Sequence, residues 1–294
     1  MTLIIDGVKL SNDIKSELKE NTSTLIREKN IKPGLAVLQV GENPASSVYV
    51  NSKQKACLEL GYHSIVHRIS EDASEEEVLS IVNDWNQDDS IHGILVQLPL
   101  PKHIDEQKVI TSIDPDKDVD GFHPTNVGKL VIGLKGHLPC TPYGIVEMLK
   151  RYNIETSGKH TVVVGRSNIV GKPITNLMYQ KKEFANSVVT ICHSGAKDIS
   201  IYTKQADILI VAVGVPHLIK KDDIKDGAVI IDVGINRIDF DNEKGYKIVG
   251  DVDYDDVFEK ASAITPVPGG VGRMTIAMLM QNTYNSAYEK SQRL

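Results

Sequence analysis

Short apolar runs alternate with helical patterns along most of this chain. In its first half, runs that predict strands lie at Leu35–Val40, Ile65–Ile69 and Gly93–Leu98, and helical patterns occupy Ala45–Leu60 and Ser74–Trp85 between them. Alternation of this kind is typical of a parallel β-sheet covered by helices. The sequence therefore predicts an α/β fold for this half.

A second series of the same kind begins after Pro139. A helix is predicted at about Val170–Gln180, and the strands of this series are predicted near Thr161–Val164, Val188–Cys192, Ile208–Val211 and Val229–Asp232. The two series predict two α/β units.

A polar stretch rich in glycine and proline, Asp114–Pro142, separates the two series. Such stretches commonly connect domains, and a chain of 294 residues is long enough for two. We expect one domain of residues 1–139 and 274–294 and a second of residues 140–273. The last helix, about Met274–Glu289, is expected to return to the first domain.

Composition narrows the classes of partner. A net charge of −6 does not attract nucleic acid or an anionic membrane, and no apolar run reaches the length needed to span a bilayer. The N-terminal segment carries Asp6 and no basic region before its short apolar stretch, which argues against a signal peptide. Three widely spaced cysteines, Cys57, Cys140 and Cys192, favour a reducing cytoplasm over a disulfide framework, and each is expected to be a small buried hydrophobe.

An amide closes one of the predicted strands. In GILVQLPLP, residues 93–101, Gln97 follows an apolar run that otherwise predicts a buried strand. A buried amide without a partner costs about 1–3 kcal/mol, so Gln97 either hydrogen-bonds to a neighbouring loop or points into a pocket at the strand's end. Pockets in α/β folds open at the carboxyl ends of strands.

Strand, turn and helix follow one another in HTVVVGRSNIVGKP, residues 160–173. Gly165 at the strand end and Gly171 at the helix start allow backbone amides to approach a pyrophosphate, although the spacing differs from G-x-G-x-x-G. The next strand ends without the carboxylate that usually holds the ribose of NAD. Arg166 and Ser194 are suited to a 2′-phosphate instead, so the sequence favours NADP. A plain structural turn is the alternative.

Tyr49 and Lys53 lie four residues apart in a predicted helix and therefore on one face. A solvated pair is the simpler interpretation. Tyr-x-x-x-Lys is also typical of short-chain dehydrogenases, but in those proteins the nucleotide loop precedes the pair, whereas here it follows. The order is wrong for that family.

The acidic turn that contains Asp116, Asp118 and Asp120 matches the first half of a calcium-binding EF-hand loop. The twelfth position, which should supply a bidentate carboxylate, is Val127. The histidines show no H-E-x-x-H motif and no clustered ligand spacing. We therefore predict no metal site, and a solvated acidic turn remains an alternative for this segment.

Six motifs, taken in order, resemble the signatures of the bifunctional methylenetetrahydrofolate dehydrogenase/methenyltetrahydrofolate cyclohydrolase (FolD) family. They are YVNSKQKAC (49–57), GILVQLPLP (93–101), KDVDGFHPTNVGKL (117–130), GRSNIVGKP (165–173), IDVGIN (231–236) and TPVPGGVG (265–272). The resemblance implies a substrate domain joined to a Rossmann-type NADP-binding domain, with folate in the cleft between them, and a homodimer. It also implies NADP-dependent oxidation of 5,10-methylenetetrahydrofolate to 5,10-methenyltetrahydrofolate, and hydrolysis of the product to 10-formyltetrahydrofolate.

The resemblance implies roles for individual residues. Lys53 corresponds to the family's catalytic lysine and Gln97 to the glutamine that orients it. Tyr49 corresponds to a ring-stacking tyrosine and Asp120 to the carboxylate that anchors the pterin. The other implied substrate-binding residues are Val96, Leu98, Pro268, Gly269, Gly270, Val271 and Gly272, and the implied cofactor-binding residues are Gly165, Arg166, Ser167, Ser194 and Ile235.

The chain departs from the family's pattern at two positions. The PGGVG loop usually continues with a proline, where this chain has Arg273. Proline in a first helical turn is helpful but not required, so we expect the helix to form; Arg273 either faces solvent or reaches the glutamate tail of a folate. The family also often has a threonine two residues after Ser194, where this chain has Ala196, which weakens the implied phosphate contact.

Two other functions remain open. A two-domain dehydrogenase of the amino-acid or shikimate type shares the order of domains but has no evident reason for GILVQLPLP. In a non-catalytic nucleotide-binding regulator, Lys53→Met would change ligand affinity rather than turnover.

Overall fold

A computed structural model describes residues 1–241 and 245–293, with the backbone alone at positions 44 and 45. The strands in this part of the chain are β1 (Leu3–Ile4), β2 (Gly34–Val40), β3 (His63–Ile69), β4 (Gly93–Val96), β5 (His160–Val164), β6 (Val188–Cys192), β7 (Ile208–Val211), β8 (Val229–Asp232), β9 (Asn236–Asp239), β10 (Tyr246–Val249) and β11 (Ala263–Ile264). The helices are α1 (Gly7–Lys29), α2 (Pro44–Glu59), α3 (Glu75–Gln87), α4 (Glu106–Ser112), α5 (Pro124–Val131), α6 (Cys140–Arg151), α7 (Gly171–Met178), α8 (Ser200–Thr203), α9 (Tyr254–Val257) and α10 (Val271–Arg293).

One compact unit contains Met1–Ser11 and Thr141–Thr275. Its main sheet has the strand order β1-β11-β8-β7-β5-β6 in the described residues, and all neighbouring strands are parallel. Every residue of β7 is buried, as expected of a parallel strand that is covered on both faces. After β5 the chain adds β6 on one side of it and then crosses over to add β7 on the other side. Such a switch point is where α/β sheets bind ligands.

The other unit contains Asn12–Cys140 and Ile276–Leu294. Its sheet, as far as the structure describes it, has the order β3-β2-β4, and both pairs are parallel. Every residue of the central strand β2 is buried, and α3 packs Val78, Val82 and Trp85 into the core beneath it. Here too the chain crosses from one side of a central strand to the other, which creates a second switch point between β2 and β4.

The predicted α/β fold is confirmed, and β6, β7 and β8 have the predicted bounds. β4 differs, because it ends at Val96 rather than at Leu98. Pro99 and Pro101 follow closely, and proline has no N–H with which to extend a β-ladder. Gln97 therefore stands just beyond the strand.

The C-terminal helix returns to the unit that contains β2, β3 and β4, as predicted. It is longer than the predicted Met274–Glu289, since α10 begins at Val271 and ends at Arg293. Its Met280 carbonyl accepts a hydrogen bond from the buried Tyr62 hydroxyl at 3.1 Å. This bond helps to fix the helix against α2 and β3, which flank Tyr62 in the sequence.

The N-terminal residues lie in a different unit from the one to which the sequence-based division assigned them. β1 pairs in parallel with β11, and the N–H groups of Leu3 and Ile5 donate to the carbonyls of Ser262 and Ile264 at 2.9 Å. This pairing places Met1–Ser11 with the larger sheet. A strand of two residues is too short to show an alternation that sequence analysis could detect.

Candidate active site

Two polar side chains meet at the carboxyl end of the three-stranded sheet. Lys53 lies on α2, which follows β2, and Gln97 directly follows β4. The Gln97 backbone N–H donates to the Leu38 carbonyl at 2.8 Å and so fixes the residue beside the central strand. Lys53 Nζ donates to Gln97 Oε1 at 3.0 Å, and Gln97 Nε2 donates to the Leu98 carbonyl at 2.8 Å. Gln97 therefore has hydrogen-bond partners for both ends of its amide, and one of them is the lysine of α2.

Tyr49 lies one helical turn before Lys53 on α2. Val50 and Cys57, on the adjoining part of the helix surface, are fully buried and anchor α2 in the core. Tyr49 is 48% exposed, whereas Lys53 is half-buried. The tyrosine therefore offers an accessible aromatic face one turn away from a partly desolvated amine.

The loop between α4 and α5 contains aspartates in contrasting environments. Asp118 is buried, and its Oδ2 accepts hydrogen bonds from the His123 N–H at 2.8 Å and from Asn126 Nδ2 at 2.9 Å. Asp120 is half-buried, and desolvation raises the pKa of its carboxyl above the ordinary value, while the positive charge of Lys53 opposes that shift. A solvated turn, the simpler alternative, is therefore wrong for Asp118 and Asp120.

Sequence reasoning missed two residues that support Asp120. Burial raises the pKa of Cys140 well above its ordinary value, so the thiol keeps its proton and donates to Asp120 Oδ1 at 3.6 Å. Buried Asn282, on α10, donates to the carbonyls of Val119 and Leu138 at 2.9 Å. The only signal for Asn282 was a polar residue within an apolar helical stretch. Cys140 was correctly expected to be buried, but its bond to a carboxylate depends on tertiary structure.

The nucleotide loop follows β5 in the other unit. Gly165 has a φ of +122°, and an ideal Cβ built on it would lie 2.3 Å from the Ala212 carbonyl oxygen, just beyond β7. A Cβ on Gly171, the first residue of α7, would lie 2.2 Å from the Gly165 carbonyl oxygen. Side chains are therefore excluded at both positions, and bare backbone lies at the switch point.

Side chains of this loop have distinct environments. Ser167 Oγ accepts hydrogen bonds from the N–H groups of Val170 and Gly171, at 3.1 and 3.3 Å, so it caps the start of α7. Arg166 is exposed beside it. The cap leaves the serine hydroxyl proton free to be donated to a ligand oxygen.

Arg166 and Ser194 lie at the same edge of the larger sheet. Each lies two residues beyond the paired positions Val164 and Cys192 on the adjacent strands β5 and β6. Both residues are exposed. His193 and Ser194 follow β6 directly, so the strand end offers a hydroxyl where dinucleotide sites for NAD usually have a carboxylate.

The PGGVG loop leads into α10 and approaches Ile235. The Gly269 carbonyl accepts a hydrogen bond from the Val8 N–H at 3.1 Å, and a Cβ on Gly270 would lie 2.5 Å from the Pro266 carbonyl oxygen. A Cβ on Gly272 would lie 3.0 Å from Ile235 Cδ1, and Ile235 is 51% exposed. The fold thus brings Gly272 and Ile235 together, as two of the residues named from the sequence.

Arg273 occupies the third position of α10, and the helix forms as expected. Its N–H donates to the Gly270 carbonyl at 3.1 Å, a bond that proline would not make. The Arg273 side chain is exposed.

The residues named from the sequence fall into two groups, one in each unit. The unit with the three-stranded sheet contains Tyr49, Lys53, Val96, Gln97, Leu98 and Asp120. The unit with the larger sheet contains Gly165, Arg166, Ser167, Ser194, Ile235, Pro268, Gly269, Gly270, Val271 and Gly272. Among the described residues, no group of three or more His, Cys, Asp or Glu side chains is arranged to hold a metal ion.

Comparison with known proteins identifies the family. Residues 5–120 match the domain described as the tetrahydrofolate dehydrogenase/cyclohydrolase catalytic domain, and residues 139–291 match the NAD(P)-binding domain of the same name. The chain belongs to the tetrahydrofolate dehydrogenase/cyclohydrolase family. A family member named bifunctional protein FolD, from Chlorobium phaeobacteroides, is 58% identical over 286 residues, which cover 96% of this chain and 97% of the relative.

Solved structures of the tetrahydrofolate dehydrogenase/cyclohydrolase family share this fold. The bifunctional FolD enzyme from Campylobacter jejuni is 50% identical with a TM-score of 0.93, and the match covers 99% of this chain and all of the other. The enzyme from Trypanosoma brucei, solved with NADP and an inhibitor, is 36% identical with a TM-score of 0.92 and covers 100% and 99% of the two chains. None of the helices in the described residues is long and apolar enough to cross a membrane.

Proposed function

We propose that this chain is a bifunctional enzyme of one-carbon folate metabolism. It oxidises 5,10-methylenetetrahydrofolate to 5,10-methenyltetrahydrofolate with NADP, and it hydrolyses that product to 10-formyltetrahydrofolate. Family membership over both halves of the chain supports both activities. The observation that carries the proposal is the 3.0 Å bond between Lys53 Nζ and Gln97 Oε1 at a switch point, because it holds an amine where a substrate can bind.

The larger sheet supplies the NADP site in this proposal. Gly165 and Gly171 carry no side chains at the turn into α7, so a pyrophosphate can approach the start of the helix, where the helix dipole favours its negative charge. Arg166 and Ser194, at adjacent strand ends, suit a 2′-phosphate because they offer a guanidinium and a hydroxyl. Ile235, exposed beside Gly272, adds an apolar contact surface. The residues therefore fit NADP, which when bound accepts a hydride.

The three-stranded sheet supplies the folate-binding groups. Asp120 offers two acceptor oxygens to adjacent N–H donors of a pterin ring, and Cys140 steadies one of those oxygens. Tyr49 offers its exposed ring to the aminobenzoyl group. Val96 and Leu98 flank Gln97 and line the apolar side of the substrate. Loss of a hydride from the bound one-carbon bridge leaves a cation shared by two nitrogens, so the oxidation depends mainly on positioning.

Hydrolysis requires a base. Lys53, as the base, takes a proton from water while the hydroxide adds to the methenyl carbon. The hydroxyl of this adduct then loses its proton, one carbon–nitrogen bond opens to leave the formyl group, and the released nitrogen takes a proton, so that one proton is released overall. Gln97 holds the amine through a neutral amide and adds no countercharge.

A paired assay tests the function. Purified protein is mixed with methylenetetrahydrofolate and either NADP or NAD, and reduced cofactor and the methenyl product are followed in one cuvette. We expect reduction with a preference for NADP, together with disappearance of added methenyltetrahydrofolate. Absence of reduction with both cofactors would contradict the dehydrogenase proposal and would favour the nucleotide-binding regulator.

We further propose that the enzyme is a cytoplasmic homodimer. The three cysteines are free and buried, as suits a reducing compartment. β6 is an edge strand of the larger sheet, and its Val188 and Ile191 are 64% and 39% exposed, which supports pairing with a second copy. Light scattering during size-exclusion chromatography should give about twice the chain mass, and Val188→Lys should lower it towards the monomer value.

A further inference from the structure

Two buried carboxylates lie in the unit with the larger sheet, and the proposed mechanism uses neither. Asp251 is 0% exposed and Asp232 is 3% exposed. The Asp251 N–H donates to Asp232 Oδ1 at 3.0 Å, so the two residues are directly linked. Buried carboxylates are costly unless donors surround them, so their partners show what they hold in place.

The carboxylate of Asp251 joins two separate loops. Its Oδ2 accepts hydrogen bonds from the N–H groups of Val213 and Gly214, at 2.7 and 3.0 Å, directly after β7. Its Oδ1 accepts a hydrogen bond from Asn236 Nδ2 at 2.9 Å, at the start of β9. One side chain thus fixes both loops that leave the carboxyl ends of β7 and β8.

The first of these loops faces the nucleotide loop. In a trans peptide the C=O and N–H groups point in opposite directions. Because the Val213 N–H points to Asp251, the carbonyl of the same peptide, that of Ala212, points the other way, towards Gly165, where it excludes a Cβ. Asp251 therefore fixes the peptide plane against which the nucleotide loop packs.

The second loop carries Ile235, which immediately precedes Asn236 and approaches Gly272. Its preceding turn is held by Asp232, whose Oδ1 accepts a hydrogen bond from the Gly234 N–H at 2.9 Å. A Cβ on Gly234 would lie 2.3 Å from Asp251 Oδ1, so the turn packs directly on the carboxylate. The position of Ile235 therefore depends on both acids.

We propose that Asp251 is a positioning residue for the cofactor, because it fixes the 213–214 and 235–236 segments that flank the dinucleotide. The inference rests on the proposed function for its ligand, NADP, but it adds a residue that would contact no part of that ligand. Asp251 acts through the two loops, so its loss should weaken NADP binding without altering the residues of the three-stranded sheet.

The test compares Asp251→Ala with a control acid at the opposite edge of the same sheet. Asp207 precedes β7, its Oδ2 accepts the His160 N–H at 2.9 Å and its carboxylate pairs with Lys225, so Asp207→Ala removes a backbone anchor of the same sheet away from the carboxyl ends. NADP affinity is measured by calorimetric titration, folding by circular dichroism, and methenyl hydrolysis as an activity that consumes no NADP. We expect Asp251→Ala to bind NADP at least tenfold more weakly with hydrolysis within twofold of wild type, and Asp207→Ala to keep wild-type affinity.

A reciprocal exchange separates hydrogen bonding from mere stability. In Asp251→Asn combined with Asn236→Asp, the amide oxygen at 251 accepts from the loop N–H groups and its NH₂ donates to the new carboxylate. This double variant should bind NADP within threefold of the wild-type affinity. Asn236→Asp alone places two carboxylates together and should not reach that affinity. If Asp251→Ala does not fold, the NADP affinity of the double variant still tests whether these hydrogen bonds position the two loops.

Three results would overturn the inference. They are wild-type NADP affinity in folded Asp251→Ala, an equal loss of affinity in Asp207→Ala, and no recovery in the double variant. A wild-type chain that binds no NADP would overturn the proposed function itself, which distinguishes the two failures.

Discussion

The two units each have a parallel sheet in which the chain changes sides around a central strand, β2 in one and β5 in the other. At the β2 switch point, side chains occupy the strand ends, with Lys53 bonded to Gln97 at 3.0 Å. At the β5 switch point, side chains are excluded, because a Cβ on Gly165 or Gly171 would lie within 2.3 Å of a carbonyl oxygen. The same topology thus holds a lysine and a glutamine at the strand ends of one unit, whereas in the other unit two glycines leave room beside the backbone and Arg166 and Ser194 lie next to them.

This difference separates chemistry from binding. Proton transfer to and from water needs a side chain that can act as a base, and the three-stranded sheet holds Lys53 for this role at its strand ends. A pyrophosphate is held well by N–H groups at a helix start, and the second arrangement supplies them. If the comparison is correct, substitutions in one unit should affect one activity much more than the other.

The largest effect is expected for Lys53→Met. Loss of a general base commonly costs about 10²–10⁴ in rate, so methenyl hydrolysis should fall by at least about 100-fold. Oxidation should fall much less, because it depends on positioning rather than on a base. The measurement is the initial rate of each reaction with separately supplied substrates. Full cyclohydrolase activity in this variant would show that another residue is the base.

The next largest effect is expected for Gly165→Ala, and it falls on NADP binding rather than on hydrolysis. The new Cβ would meet the Ala212 carbonyl oxygen at 2.3 Å, at a φ that side chains rarely adopt, so the loop must move. NADP affinity should fall by about tenfold or more, while methenyl hydrolysis persists. Gly128→Ala is the matched control, because a Cβ there meets nothing within 4 Å, and it should change neither activity. Unchanged NADP titration in Gly165→Ala would remove the basis for the backbone site.

A smaller effect is expected for Arg166→Ala. A hydrogen bond to a charged group contributes about 1.5–3 kcal/mol, so the preference for NADP over NAD should fall by about tenfold or more. The check is the ratio of kcat/KM for the two cofactors. Ser194→Ala should change this ratio in the same direction but by less, because a hydroxyl carries no charge. If the ratio is the same in Arg166→Ala and wild type, Arg166 does not recognise the 2′-phosphate.

The pH dependence of folate binding should shift by a modest amount. Ionised Asp120 accepts pterin N–H groups, and burial raises the pKa of this carboxyl, so affinity should be lost as the pH falls through a value above the usual carboxyl range. The charge of Lys53 lowers that pKa, so in Lys53→Met the loss should begin at a higher pH. Folate affinity is titrated against pH in both proteins, with Asp120→Asn as a control that should flatten the profile. A shift to lower pH in Lys53→Met would contradict this electrostatic account.

The smallest effect is expected for Arg273→Pro. The substitution removes the N–H that donates to the Gly270 carbonyl at 3.1 Å, and it also reduces the freedom of the unfolded chain. These contributions oppose each other, so the free energy of unfolding should change by less than about 1 kcal/mol. Denaturant titration measures it. A loss of several kcal/mol would mean that the Arg273 N–H is essential to the start of α10.

Much of the fold could be predicted from local pattern. Three strands of the larger sheet have the predicted bounds, because the apolar runs of β7 and β8 are distinctive in buried parallel strands and β6 is rich in β-branched residues. Helix α1 was not predicted, although its buried Leu10, Ile14 and Leu18 recur every four residues, a spacing that indicates one face of a helix. The pairing of β1 with β11 could not be predicted from local sequence pattern, because the two short strands are far apart in the sequence.

Local pattern places residues of the candidate site together only where a motif holds them close in the sequence, whereas the pairing of Lys53 with Gln97 was expected from the family resemblance. Tyr49 and Lys53 share a helix face, and Gly165 and Arg166 share a turn, so their proximity follows from local geometry. The bonds of Cys140 to Asp120 and of Asp251 to Asn236 join separate elements. Such contacts depend on packing, and a single sequence does not reveal them.

The central claim is that the base for hydrolysis lies in one unit and the cofactor site in the other. The ratio of oxidation rate to hydrolysis rate in Lys53→Met and Gly165→Ala tests this claim most directly. Both rates are measured in the same preparations of wild type and the two variants, with saturating folate substrates and a fixed, subsaturating NADP concentration. The account predicts that the ratio rises in Lys53→Met and falls in Gly165→Ala. A parallel loss of both activities in both folded variants would contradict it, because chemistry and cofactor binding would then not be separable between the two units.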